Sequence, residues 1–475
     1  MKNVVFIFCD ELRADALGCY GNPAGPLHTP NIDRVASRGV LFEECYCPSP
    51  VCVASRTCLM TGMWPEETGA YDNEAALPTF RLPRTVTTFP EELAKAGYAT
   101  ANFGKTHFPK ELHPFQVDDP EGAEMHLGLS QDVRKSLDRV IPRGGLSFNA
   151  ASLYPEGLDY YPERLTQNAI DWIRQQEGPY FVRLSYNQPH SPIIVKRGYE
   201  VYYANHAFSG ELPDISGLSE FEQAFAKAVN LGSLTEEEIR KAKIYYYGMV
   251  CWIDDEVGKV LSVLEERGEL DNTIFIISSD HGALRGEVQG LGKHVFQRKS
   301  QQIPLIISAP GQLQPGTRRS DICSLIDLPR TLFGLLELEL PEQFHGSDLF
   351  RDPAQTYVYS TKGFGEYFSC AFPNRMMGRL PGDHGWPRRS CIRSRFYRLD
   401  MNMRIDGHEP SEDERDLFFT DCIRYPNEDV NLASDPLYAD IVAEMKALLL
   451  ARSADAVEVD PASITMPKDH KSPGQ

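Results

Sequence analysis

Val4-Val5-Phe6-Ile7-Phe8-Cys9-Asp10-Glu11, residues 4–11, is a short apolar run of β-branched and aromatic residues that stops abruptly at two carboxylates. A membrane helix needs roughly 18 or more apolar residues, and a signal peptide needs a small-residue cleavage site. Neither is met here, so the run reads as a core strand buried on both faces. The pattern recurs. Residues 98–103 lead into Gly104-Lys105-Thr106-His107, residues 180–186 into Pro189-His190, residues 273–278 into Asp280-His281-Gly282, and residues 304–308 into Ala309-Pro310-Gly311. Helical stretches lie between them. Thr29-Pro30 opens one that stops at Gly39, residues 165–176 are amphipathic, and residues 236–267 carry apolar Ile239, Met249, Ile253, Val257, Val260 and Leu264 before Gly268. Strands alternating with helices predict an α/β fold with a large, mostly parallel sheet flanked by helices. Ligands of such sheets bind outside the carboxyl ends of the strands, where four of these runs deliver ionisable residues.

The chain has 475 residues, and its character changes near residue 350. Residues 1–350 are expected to form the catalytic α/β domain and residues 351–475 a smaller C-terminal α+β subdomain. In the latter, residues 356–360 and 391–400 read as exposed strands. Residues 436–450 read as a helix with Leu437, Ile441, Met445 and Leu448–Leu450 on its apolar side. The tail after Ala456 reads as a loosely ordered arm, and residues 110–160 as a long insertion bordering the site. A net charge of −19 argues against nucleic acid and anionic membrane as partners, so an anionic substrate requires a local positive pocket. The eleven cysteines show no disulfide framework, which points to reduced thiols in a cytoplasmic protein.

Asp10-Glu11 and Asp280-His281 each read alone as a turn or a cap. At one sheet edge they offer oxygen and nitrogen ligands for a divalent cation. Residues 48–62, Pro-Ser-Pro-Val-Cys-Val-Ala-Ser-Arg-Thr-Cys-Leu-Met-Thr-Gly, place Cys52 just before a helix, where backbone N–H groups favour an anion. The plain alternative is a buried structural thiol. Cys58 on the same helix reads as core, and Cys45-x-Cys47 is too sparse for zinc.

Cys52, Ala54 and Arg56, followed by Leu59-Met60-Thr61-Gly62, resemble the signature of the sulfatase branch of the alkaline phosphatase superfamily. The resemblance extends through Asp10 to Gly21, Thr29 to Gly39, Gly104-Lys105-Thr106-His107, Pro189-His190, Gly292-Lys293 and Asp416-Leu417 to the last helix. It implies an alkaline phosphatase-like fold and metal-dependent hydrolysis of sulfate monoesters, with a sulfated mono- or oligosaccharide as substrate. Cys52 would be oxidised to formylglycine, whose hydrate is the nucleophile. Asp10, Glu11, Asp280, His281 and residue 52 would bind the metal. Arg56 would hold the hydrate, Lys105 and Lys293 would neutralise sulfate oxygens, and Asn73 would donate a further hydrogen bond to substrate. His190 would protonate the leaving alcohol, and His107 would assist collapse of the intermediate.

Three positions depart from the family's commonest pattern. Glu11 stands where an Asp is usual. Asp280-His281 replaces Asp-Asn, as in phosphonate monoester and phosphodiester hydrolases and choline-sulfatase-like members, so those esters are the alternative reading. Imidazole also suits Mn²⁺ better than the Ca²⁺ otherwise expected. Ala54 replaces a proline, which favours an oxygen-independent maturase as partner and an anaerobic bacterial source. The segments 143–147 and 381–389, together with Tyr367, are polar and aromatic candidates for the substrate rim. Within them His384, Trp386 and Arg388 read as sugar contacts or as ordinary surface residues.

Overall fold

The structure, a computed structural model, describes the chain except residues 23, 24, 26, 120–150, 155–160, 366–385 and 460–475. Most of the expected insertion at 110–160, the segment 143–147, Tyr367 and His384 therefore lie outside the described residues. The opening run is β1 (Asn3–Asp10), an interior strand of an eight-stranded sheet. Its companions are β2 (Val40–Tyr46), β3 (Ala99–Gly104), β4 (Val117–Asp118), β5 (Tyr180–Pro189), β6 (Thr273–Ser279), β7 (Leu305–Ser308) and β8 (Thr317–Ser324). The order is β8-β2-β7-β6-β1-β5-β3-β4. All neighbours pair in parallel except β7, which runs antiparallel to both β2 and β6.

Strand periodicity explains the layers. Val5, Ile7 and Cys9 face a core shared with α1 (Pro30–Ser37), α4 (Tyr161–Arg174) and α6 (Glu236–Glu266). Val4, Phe6 and Phe8 face the opposite core, shared with α2 (Cys52–Thr61), α3 (Phe89–Lys95) and α7 (Leu328–Leu336). Phe6 is wholly buried, so truncation to Ala is expected to cost about 3–5 kcal/mol. In α6 all six predicted apolar positions are buried. The helix begins at Thr235, whose hydroxyl accepts from the Glu238 N–H while the Glu238 carboxylate accepts from the Thr235 N–H. Thr29 precedes α1 as expected, but its hydroxyl donates to Asp33 and accepts from the Gly18 N–H rather than capping the helix.

The C-terminal sheet is antiparallel, β9 (Val358–Lys362), β10 (Arg388–Arg393), β11 (Tyr397–Arg404) and β12 (Phe418–Asp421) in sequence order. Val442, Met445 and Leu449 of α8 (Ala439–Ser453) pack on Ile392, Leu399 and Met401. Three expectations are corrected here. Residues 391–400 are not one exposed strand but parts of two buried strands, because the arginines that made them look solvated are paired with buried acids. Leu437 is 75% exposed in a 3₁₀ turn before α8, and Leu448 lies at the rim. The inward set follows three- and four-residue steps from Val442 instead. The tail does not loosen at once after Ala456. Tyr71 Oη donates to the Val457 carbonyl at 2.8 Å and Arg388 pairs with Glu458 at 2.9 Å. Strands β2 and β8 were not anticipated; β8 is an edge strand whose Arg-Arg-Ser-Asp stretch conceals it.

Candidate active site

The parallel register carries the chemistry to one edge of the sheet. β1 ends at Asp10, β6 runs into Asp280 and His281, β3 into Lys105, and β5 into His190. After β3 the chain turns at Gly104 (φ 97°), where a Cβ would meet the Ser185 carbonyl at 2.2 Å. Glu11 adopts φ 63°, and this left-handed turn is held by Tyr246 Oη donating to its carbonyl at 2.6 Å. Cys52 is the first residue of α2, and Arg56 lies one turn along on the same face. Lys293 follows a two-residue strand, Leu291–Gly292, paired with Leu284–Arg285.

Cys52 Sγ is the centre of the cluster. Lys293 Nζ lies 2.7 Å from it, His281 Nε2 3.3 Å, Asp10 Oδ1 3.7 Å and Lys105 Nζ 3.9 Å, and His107 also hydrogen bonds to it. Arg56 ties the acids together, donating from Nε to Asp280 Oδ2 at 2.7 Å and from Nη2 to Asp10 Oδ2 at 3.0 Å. Its Nη1 donates to Ser185 Oγ at 3.0 Å. Lys105 Nζ lies 2.5 Å from Asp10 Oδ2. His190 Nε2 sits 3.0 Å from Lys293 Nζ and 3.4 Å from Glu11 Oε1. Burial alone would raise the Cys52 thiol, but Lys105, Lys293 and His281 outweigh it and hold the thiol well below its ordinary range. Burial likewise opposes ionisation of Glu11, yet His190, Lys293 and Arg285 bring it down to about 2. Burial, followed by Lys105, lowers His107 to about 4, so it is a neutral imidazole near pH 7.

The donor atoms of Asp10, Cys52, Asp280 and His281 all lie within 4.8 Å of one another in a fully buried group. This spacing suits ligands sharing one cation at bonds of roughly 2.0–2.6 Å. The set of two carboxylates, one imidazole and residue 52 fits a divalent ion. Glu11 stands at the flank. It groups with Asp10 and His190, and its Oε2 accepts from Arg285 at 2.9 Å. Asn73 Oδ1 accepts from the Val53 N–H at 3.3 Å, at the start of α2. Every site residue expected from sequence thus lies in this neighbourhood. Sequence reasoning missed Arg285, which restrains Glu11, and Ser185, which positions Arg56; neither carries a motif. Trp386 and Arg388, named above for the substrate rim, are buried. Trp386 packs edge-on against Phe221, and Arg388 stacks over Tyr71.

The Sulfatase family profile matches residues 2–338, and the chain belongs to this family. It is a sulfuric ester hydrolase. It is 29% identical over 400 residues to an arylsulfatase of Clostridium perfringens, covering 77% of this chain and 82% of that one. The fold matches the phosphonate monoester hydrolase of Silicibacter pomeroyi with a TM-score of 0.74 and 22% identity over 96% of each chain. It also matches a protein solved in complex with its substrate D-glucosamine-2-N,6-O-disulfate, with a TM-score of 0.71 and 21% identity over 96% of this chain and 98% of that one. Among the described residues, no helix is long and apolar enough to cross a membrane.

Proposed function

We propose that the chain hydrolyses a sulfate monoester of a small sugar, with residue 52 converted from cysteine to formylglycine by an oxygen-independent maturase. The convergence of Lys105, Lys293 and His281 on Cys52 Sγ carries this reading. Asp10, Asp280, His281 and residue 52, with Glu11 at the flank, are the residues to hold one Ca²⁺ or Mn²⁺ ion. The bound cation would supply Lewis-acid charge, and formylglycine a hydrated aldehyde as nucleophile. Arg56 fixes both carboxylates in orientation. Lys105 and Lys293 face the anionic ester and neutralise charge that grows on its oxygens. His190 Nε2, beside Lys293, hands a proton to the leaving alcohol. Neutral His107 accepts one beside residue 52. Asn73 holds the start of α2 and offers its amide N–H to the ester.

Rates on an aryl sulfate and an aryl phosphodiester test this directly. The expected outcome is faster turnover of the sulfate, loss on chelation, and recovery with Ca²⁺ or Mn²⁺. The intact mass of the peptide around residue 52, taken from the native host, should show formylglycine. Faster turnover of the phosphodiester would instead assign the phosphonate monoester and phosphodiester chemistry that His281 keeps open.

A further inference from the structure

Beside the nucleophile helix lies a second buried polar group that the reaction above does not use. Lys362, at the end of β9, is 3% exposed, as buried as Lys105. The backbone stitches it to the two segments that bear the site. The Thr361 N–H donates to the Pro48 carbonyl at 3.0 Å, and the Gly363 N–H to the Tyr71 carbonyl at 2.9 Å. From the other side the His294 N–H donates to the Pro50 carbonyl at 3.2 Å. Among the described residues, the Lys362 ammonium makes no hydrogen bond. Its nearest counter-charge is Asp72 Oδ2 at 4.0 Å, with the Phe221 ring 5.5 Å away. Asp72 is buried and directs its other oxygen to the Asn73 N–H at 2.8 Å. His294 is 7% exposed, and its Nδ1 is buried without a partner.

A buried ammonium and carboxylate normally close to within hydrogen-bond distance, because leaving a buried charge without a hydrogen-bond partner is costly. A gap of 4.0 Å is too wide for a direct bond. It is at the short end of the roughly 4.0–4.6 Å a hydroxyl spans when its oxygen accepts from one group and its proton goes to the other, each at about 2.8 Å. Charge decides between ligands. Lys362 is already faced by two acidic side chains, Asp72 and Glu74, so its charge is offset and a second sulfate or a carboxylate gains little attraction there. An uncharged hydroxyl meets both a donor and an acceptor. We propose that Lys362 and Asp72, with His294 beside them, bind a hydroxyl of the leaving alcohol and so select sulfate esters of polyhydroxylated substrates over simple aryl sulfates. This rests on the sulfate-ester reading given above.

The test measures kcat/KM on 4-nitrophenyl sulfate and on a panel of galactose 6-sulfate, N-acetylglucosamine 6-sulfate and N-acetylgalactosamine 4-sulfate, then on mono-deoxy analogues of the best sugar. For Lys362→Met and Asp72→Asn, the sugar-to-aryl ratio should fall about tenfold or more, since a site built to bond a hydroxyl discriminates strongly against its absence. One deoxy analogue should lose as much with the wild-type enzyme and nothing further with Lys362→Met. An unchanged ratio overturns the proposal, as does a parallel loss on both substrates, which would mark Lys362 as a prop for the nucleophile segment. Turnover of the aryl sulfate with every panel sugar inert also overturns it. A wild-type enzyme that cleaves an aryl phosphodiester and no sulfate ester overturns the sulfate reading itself, and this proposal with it.

Discussion

Two buried charge clusters lie in this molecule, and they use their cations differently. Where β10 and β11 meet α5 (Glu220–Val229), the cations are arginines, each saturated by acids. Arg389 bonds Asp400 at 2.6 Å and Asp416 at 3.1 Å, Arg398 bonds Glu222 at 2.6 Å and Asp400 at 2.7 Å, and Arg393 forms a forked pair with Glu428. Around Cys52 the cations are mainly lysines and histidines crowded on one side chain, with Arg56 alone acting as a fork. Both clusters are costly to desolvate. A planar guanidinium matches a carboxylate and leaves little over, whereas an ammonium is a point charge with three rotatable donors. The first cluster is closed and joins the C-terminal sheet to α5. The second keeps capacity for an anion.

Mutations can break that contrast. The largest effect is expected for Cys52→Ala, which should lower turnover at least about 10⁴-fold by removing the proposed nucleophile precursor. Next, Arg398→Met leaves Glu222 and Asp400 buried with one partner fewer, and urea unfolding should show a loss of about 3–5 kcal/mol. Turnover per folded molecule should stay within about twofold, since Arg398 and the residues around Cys52 share no hydrogen-bonding or ion-pair partner among the described residues. If its turnover fell as far as its stability, the two clusters would be acting as one. Lys105→Met should do the opposite, lowering kcat about 10²–10³-fold in steady-state kinetics with a smaller change in stability.

The cluster around Cys52 was legible in the sequence because Asp10, Lys105, His190 and Asp280 sit at strand ends, where a run of apolar residues stops at a polar one, while Cys52 and Arg56 share one short motif on α2. Period and punctuation reveal that without any knowledge of contacts. The closed cluster was not legible. Arg389, Arg393 and Arg398 look like a solvated strand until Glu222, Glu428 and Asp416 arrive from distant segments, and no local pattern announces long-range charge compensation. The same limit hid β8, whose polar side chains pair with β2 at the sheet edge. It also shifted the reading of α8, where three adjacent leucines masked which of them faces inward. Lys362 was invisible for a related reason, since its significance lies in a gap of 4.0 Å to Asp72 rather than in any motif.

The closed cluster also makes a pH prediction of smaller size. Burial opposes ionisation of Glu428, but Arg393, with its hydrogen bonds, and Arg398 hold the carboxyl down to about 2 from an ordinary 4.5. A folded-state value below the unfolded one means that ionised Glu428 stabilises the fold fully above the unfolded value. That contribution is lost as pH falls from about 4.5 toward 2. Its full size is about 3 kcal/mol, of which about 2 should be gone by pH 3. Many other carboxylates titrate in this range, so wild-type stability alone is uninformative. Glu428→Gln keeps an amide facing Arg393 and does not titrate. The difference in unfolding free energy between the wild-type chain and Glu428→Gln, from urea curves followed by circular dichroism, should therefore shrink by about 2 kcal/mol between pH 6 and pH 3. A constant difference would mean that Arg393 holds its partner by shape rather than by charge, and that the closed cluster is not electrostatically closed at all.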